Sequence, residues 1–331
     1  MTKLLSTQRS FSRIALLTLA TGLAPVPGTA ADSYPDRAVR LVVPVPPGGA
    51  SDFISRLAAQ RMAESLRQNF VVDNRGGAAG RIASELVTRA TPDGYTLLVS
   101  SSSTHGMGPV LYKDLPYDPM KSFTHIALIA KVPAAVVVNH AVPVKSVKEL
   151  IELAKSKPNA ISFGSSGGGS ASRLFAELFK LVTGAPMTHV PYKGSGLATV
   201  DLAAGNIQVM FDGLPSHMAQ IKAGRLRVLA ALGPSRSIAL PDVPTIAEAG
   251  YPGIECALWF GVSGPAGLPA EAVAKISREV ARMVAMDDVR TRLATVGAIP
   301  SPLGPADYVS FIRAENAKWG KVVAASGATG D

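Results

Sequence analysis

The sequence predicts an α/β protein built as two similar lobes, on three observations. The stretch 41–56, LVVPVPPGGASDFISR, takes an apolar strand through a Pro-Pro-Gly-Gly turn directly into a helix. The stretch 161–173, ISFGSSGGGSASR, repeats that design of strand, glycine loop and helix start further along the chain. Between and around them, short apolar runs alternate with helical patterns, which implies a largely parallel sheet with ligands bound at the carboxyl ends of its strands.

Taken in order, residues 39–43 form a strand, and the helix after Ser51 carries Ile54, Leu57, Ala58, Met62 and Leu66 on one stripe. A strand at 70–73 leads into a third glycine loop at 75–80 and a helix at 82–90. Pro92-Asp93-Gly94 is a turn before the strand 95–100, and a serine-rich loop, 100–104, follows that strand's carboxyl end. Between 125 and 139 two apolar runs flank Lys131, Val132 and Pro133, a pattern that suits a crossover into another sheet. A second series follows: helix 146–155, strand 160–163, helix 170–182 stopped by Gly184, strand 187–190, helix 195–204, strand 207–211, helix 215–223 and strand 227–231. After the proline-rich stretch 241–252 comes an apolar run at 257–262, and the tail is helical at 269–286, 288–295 and 305–324. There is no short-period repeat, which excludes a solenoid.

At 331 residues, with 47% hydrophobic and 17% charged residues, the chain can fill two ordinary cores and is not disordered. Its beginning is set apart. Lys3, Arg9 and Arg13 precede the apolar run 14–24, and small residues lead to Ala30 and Ala31, so residues 1–31 read as a secretory signal peptide cut after Ala30 or Ala31. The single cysteine, Cys256, permits no internal disulfide, and no cysteine stands at the cleavage point to carry a lipid. A free periplasmic protein is expected. The formal charge of +9, less the three cations of the signal peptide, leaves +6 without a block of like charges, which argues against nucleic acid as a partner.

The glycine loops have the chemistry of an anion cradle. Gly48 and Gly49 let the backbone approach a ligand, and residues 50–53 present N–H groups at the positive end of a helix dipole, so no side-chain cation is needed.

The segments VPVPPGGASD, NRGGAAG, ATPDGYTLLV, FGSSGGGS, THVPYKGSG, Phe211-Asp212, LPDVPTIAEAGYPG and ENAKWGKVV, in that order over nearly the whole mature chain, resemble the solute-binding receptors of tripartite tricarboxylate transporters, the Bug-type receptors. The resemblance implies a type II periplasmic-binding-protein fold, two α/β lobes joined by two crossover strands with the ligand cleft between them. Lobe one would be 32–131 plus 256–331, and lobe two 132–255. Ala79 departs from a glycine common in the third loop. The implied partners are a small organic acid and the permease subunits of the transporter, with the receptor acting as a monomer and without a cofactor.

Residues and resemblance together give a candidate site. Gly48, Gly49 and Ser51 would meet one carboxylate, with Asp52 capping or orienting their loop. Ser102, Ser103 and Thr104 could add hydroxyl donors, each equally able to close a local turn. Ser165, Ser166, Gly168 and Ser170 would hold the opposite end of the ligand. Tyr192 and Gly194 follow a strand end, Tyr192 as packing or as a contact. Asp212 would repel an anion at short range and so reads as a selectivity element, accepting from a hydroxyl, an amine or a water, or else as a cap of the following helix.

A rival chemistry is a secreted esterase. Gly164 to Gly168 fits G-x-S-x-G with Ser166 as nucleophile, and Asp201 or Asp212 with His217 supplies the required order, although Asp212 and His217 are only five residues apart and no HGGG-type stretch lies upstream. A receptor that feeds a membrane sensor would use the same binding site. The five histidines show no metal spacing, a dinucleotide fingerprint fails at Ser172, and a P-loop fails at Ser170. The expected mature protein therefore starts near Ala31 or Asp32, and mass spectrometry of native material that finds an intact Met1 would refute export.

Overall fold

The structure is a computed structural model that describes residues 34–158 and 160–330, so the signal-peptide reading of 1–31 lies outside the described residues. Its strands are β1 (Val39–Val43), β2 (Phe70–Asn74), β3 (Thr96–Ser101), β4 (Phe123–Asn139), β5 (Ser162–Ser165), β6 (Thr188–Pro191), β7 (Val209–Gly213), β8 (Leu226–Ala231), β9 (Ala257–Pro265) and β10 (Ile299–Leu303). Its helices are α1 (Gly49–Leu66), α2 (Arg81–Thr88), α3 (Gly108–Leu111), α4 (Val147–Ser156), α5 (Ala171–Thr183), α6 (Ser195–Ala204), α7 (Met218–Lys222), α8 (Ala270–Val284), α9 (Asp287–Thr295) and α10 (Pro305–Ser326). None of these helices is long and apolar enough to cross a membrane.

The sheet is mixed rather than largely parallel. Pairs β1–β2, β1–β3, β5–β6 and β5–β7 are parallel, as β-α units require, whereas every pair made by β4 or β9 is antiparallel. The reason is β4. Its 17 residues run unbroken, pairing with β9 and β10 up to Pro133 and with β7 and β8 from Ala134 onward. Lys131-Val132-Pro133, read from sequence as a gap between two runs, is the point where one strand changes sheets. Proline fits there: it has no N–H to place, and the ladder resumes at Ala134, whose N–H donates to the Cys256 carbonyl at 3.1 Å. Cys256 N–H in turn reaches Leu232 O at 2.7 Å, so the chain returns to β9 alongside the same crossing.

Each half has its own core. One packs β1, β3 and β9 against α1 and α8 through Leu41, Ile54, Leu57, Met62, Val262 and Ile276. The other packs β5 and β7 against α4 and α5 through Leu150, Phe163, Phe175, Phe179 and Phe211, and it also takes in Trp319 and Val322 of α10. The last helix thus serves both halves: the Trp259 and Trp319 indoles each donate to the same Glu315 carboxylate oxygen at 3.0 Å.

Three elements were not expected. Residues 102–107 form a π-helical turn that leads into α3, and β10 is an edge strand whose Pro300 and Pro302 hid it from pattern reading. Gly261 is a fixed point, because a Cβ there would lie 2.4 Å from the Tyr308 hydroxyl and 2.6 Å from the Ala127 carbonyl oxygen. Gly261→Ala should therefore cost about 1–3 kcal/mol by overpacking, measured as a lower urea midpoint at constant m-value; an unchanged midpoint would show that β9 can shift.

Candidate ligand-binding site

Because β1, β2 and β3 run parallel, their carboxyl ends bring three loops together. Gly48 and Gly49 hold φ of +93° and +81°, which only glycine adopts without cost, and a Cβ on either would meet nothing within 4 Å. Behind them, a Cβ on Gly76 would strike Pro46 at 2.6 Å and one on Gly80 would strike Thr104 at 2.6 Å, so the loop after β2 presses on both the loop after β1 and the loop after β3. Ala79 keeps a φ of +53°, in the left-handed region that favours glycine.

Asp52 is the organiser of the first loop. Its Oδ2 accepts from Gly48 N–H at 3.1 Å and Arg56 Nε at 3.0 Å, and its Oδ1 accepts from Asn74 Nδ2 at 2.9 Å. Burial pushes this carboxyl up, but the bonds from Arg56, Gly48 and Asn74, with the Arg56 charge, outweigh burial and hold it below the usual carboxylate range. One consequence corrects the sequence reading: Gly48 N–H is occupied by Asp52, leaving the amides of Gly49, Ala50 and Ser51 as the open donors of the first turn. Ser51 Oγ is buried without a protein partner, and so is Ser102 Oγ after β3.

Ser103 is half-buried. Thr104 is fully buried, and its hydroxyl is occupied by Ser101 N–H at 2.9 Å and His105 Nδ1 at 2.9 Å; it closes a capping box and is not free to donate to a ligand. Asn316 of α10 holds the other side of this turn, its Nδ2 donating to His105 O at 2.5 Å and Gly106 O at 3.2 Å.

In the second half, β5, β6 and β7 also end together. Ser165, Ser166 and Ser170 are tied within one loop. Ser165 Oγ donates to Gly167 O at 2.9 Å and pairs with His189 Nε2 at 2.7 Å. Ser172 Oγ accepts from Ser166 N–H at 2.9 Å and meets the hydroxyls of Ser166 and Ser170 at 3.2 and 3.0 Å. Burial, with the charges of Arg173 and Lys180, pulls His189 down to about 4, so it is neutral at pH 7. Gly168 offers its carbonyl to Arg173 Nη1 at 2.9 Å. Gly194 has a φ of +117° with open space where a Cβ would be.

Two further residues, Tyr192 and Asp212, bond to neighbouring groups of the protein. Tyr192 donates to Asp201 Oδ2 at 2.8 Å, and burial together with that carboxylate raises the phenol to about 12. Asp212 accepts from Ser195 Oγ at 2.5 Å and from Gly213 N–H at 2.8 Å, with His217 Nε2 at 3.8 Å, so it fixes the first turn of α6 to the end of β7. The esterase constellation is not assembled: Ser166 bonds Ser172, while His217 bonds Thr199 Oγ1 at 3.0 Å. A cavity of about 190 Å³ beside the crossover is walled by Pro133, Leu214, Ala231, Arg236, Ala298 and Ile299, and none of the glycine-loop residues lines it.

Sequence reasoning missed Asn74, Arg56, Ser172 and Ser195. Each is an ordinary surface type whose role depends on a partner brought by another strand or by the next helical turn.

Two halves sharing crossing strands, with glycine loops at their strand ends, define a two-lobed solute-binding protein. The sequence model for the tripartite tricarboxylate transporter family receptor matches residues 54–328. Protein BugT of Bordetella pertussis is 36% identical over 322 residues, 97% of this chain and 98% of the relative. Among solved structures, an R. palustris protein with adipate is 40% identical with a TM-score of 0.83, covering 89% of this chain and 99% of the other. MatC of Rhodopseudomonas palustris with bound malate is 32% identical with a TM-score of 0.77, covering 88% and 100%. The chain belongs to the tripartite tricarboxylate transporter receptor family, a family of solute-binding receptors rather than enzymes.

The serine turn rests on two buried histidines, His105 and His125, whose ring centres are 5.3 Å apart. Burial lowers His105 well below its usual value and His125 to about 4, so both are neutral in the fold. The unfolded chain binds their protons from about pH 6.5 downward. Stability is therefore complete above that pH and should fall toward pH 4, by up to about 1.4 kcal/mol per pH unit for each histidine. Urea midpoints at pH 7, 6 and 5 check this, and a flat profile would contradict it.

Proposed function

We propose that this receptor captures a linear dicarboxylate in the periplasm and presents it to the membrane subunits of a tripartite tricarboxylate-type transporter, as a monomer and without catalysis. The observation that carries the reading is the pair of loop-to-helix junctions, one at the carboxyl end of β1 and one at that of β5, in halves joined through β4. Two anion-ready loops suit a ligand with a carboxylate at each end. The adipate and malate bound by the two R. palustris proteins support the same class.

In this reading the lobes are 32–131 with 256–331, and 132–255, and residues 1–31 direct export and are removed. Gly49, Ser51, Ser102 and Ser103 meet one carboxylate, and Ser166, Gly168, Ser170 and Gly194 meet the other. Gly48, Asp52, Thr104, Ser165, Tyr192 and Asp212 hold the loops in shape.

Calorimetry on the mature protein tests the reading with adipate, malate and hexanoate. Adipate or malate should bind one to one near micromolar affinity, about 8 kcal/mol, and hexanoate at least about tenfold more weakly. Gly49→Pro, which removes one open donor and, being unable to adopt a positive φ, displaces the neighbouring amide, should abolish most of that affinity, since two charge-assisted bonds are worth roughly 3–6 kcal/mol. Equal affinity for hexanoate and adipate, or unchanged binding in folded Gly49→Pro, would overturn it.

A further inference from the structure

The second glycine loop is also held from outside its own half. The Arg173 guanidinium reaches back from the first turn of α5, and its Nη1 donates both to Gly168 O at 2.9 Å and to Thr329 O at 2.6 Å. Its Nε is buried without a partner, so the fork is partly desolvated and held by those two carbonyls. The segment that carries Thr329 is itself fixed. Ala328 is buried, Gly330 N–H donates to Leu111 O at 3.1 Å, and a Cβ on Gly330 would lie 2.4 Å from the Tyr112 ring. Tyr112 touches the loop as well: a Cβ on Gly169 would fall 2.0 Å from its hydroxyl oxygen. The residues after α10 are thus packed between the turn that follows β3 and the loop that follows β5.

We infer that Arg173 is a positioning residue for ligand binding, which sets the Gly167–Ser170 loop by clasping it to the C-terminal segment, and that this segment couples the binding loops of the two halves. The inference rests on the loop's binding role proposed above. An Arg acting through its charge on the ligand would not need Thr329. An Arg acting as a clasp loses its effect once that carbonyl is gone.

The test uses Arg173→Met, a chain ended after Ala328, and both changes together, with adipate as the probe. Each single change should weaken adipate by about tenfold, roughly the worth of one net hydrogen bond, and the combination by no more than the worse single change. Hydrogen exchange without ligand is the second readout: amides of 167–172 should exchange faster in both variants, while those of 49–51 keep their rates. Additive losses, or unchanged exchange at 167–172 in Arg173→Met, would overturn the inference. If the wild type binds no dicarboxylate, the proposed function fails, and the exchange experiment still decides the clasp. Arg173→Met alone decides it if the shortened chain does not fold.

Discussion

The constraint on which the rest depends is that β4 serves two sheets. A strand offers one ladder of N–H and C=O groups along each edge, and here each edge is divided between halves: β9 and then β8 take one side, β10 and then β7 the other. The division has to fall where a missing donor does no harm, and Pro133 occupies that position. A Cβ at Gly233 would lie 2.7 Å from the Pro133 ring, so the return chain also passes close to the same point. The two sheets thereby meet at a short stretch of backbone, while the loops at the strand ends on either side are attached to separate cores.

The anion-binding role proposed for those loops has to accommodate the carboxylates that sit beside them. Asp52 and Asp212 are both buried, and a bare charge at either site would oppose a ligand carboxylate. Asp52 is neutralised by Arg56 and surrounded by donors from Gly48 and Asn74; Asp212 takes the Ser195 hydroxyl and the Gly213 amide. Each has its oxygens turned toward the protein. Their bonds fix backbone geometry at the positive ends of α1 and α6.

Much of this was legible in the sequence, and the rest was hidden for identifiable reasons. The stripe from Ile54 to Met62 and the run 39–43 announced a helix and a strand because periodicity reports burial directly. The two glycine loops were visible because Pro-Pro-Gly-Gly and Gly-Gly-Gly disfavour both helix and strand and so interrupt the pattern. The placement of β5 was read two residues early because Gly164 looks like the start of a turn. It is strand instead, glycine for want of space, since a Cβ there would lie 2.3 Å from Ile207 Cδ1. Thr104 looked like a donor, yet its hydroxyl closes a turn on Ser101; hydroxyl type is readable from sequence, but hydroxyl direction is not. Asn74 and Arg173 carry no local signal because their partners, Val45 and Thr329, are distant in the chain.

The two cradles are stiffened by different chemistry, and the difference bears on which of them can adapt. The first is set by ions and amides: Asp52 can only accept, Arg56 can only donate, and Asn74 is committed to Val45 O and Asp52. No member can reverse its role without breaking a bond. The second is set by hydroxyls, with Ser172 Oγ meeting those of Ser166 and Ser170 at 3.2 and 3.0 Å. A hydroxyl both donates and accepts, and its proton rotates freely. Ser170 donates to Gly167 O at 2.7 Å, so the Ser166 hydroxyl is the member whose proton can turn toward an incoming carboxylate with no movement of heavy atoms. In the proposed reading the first half presents a fixed pattern of donors to one carboxylate, and the second, through its hydroxyl, accommodates variation at the ligand's other end.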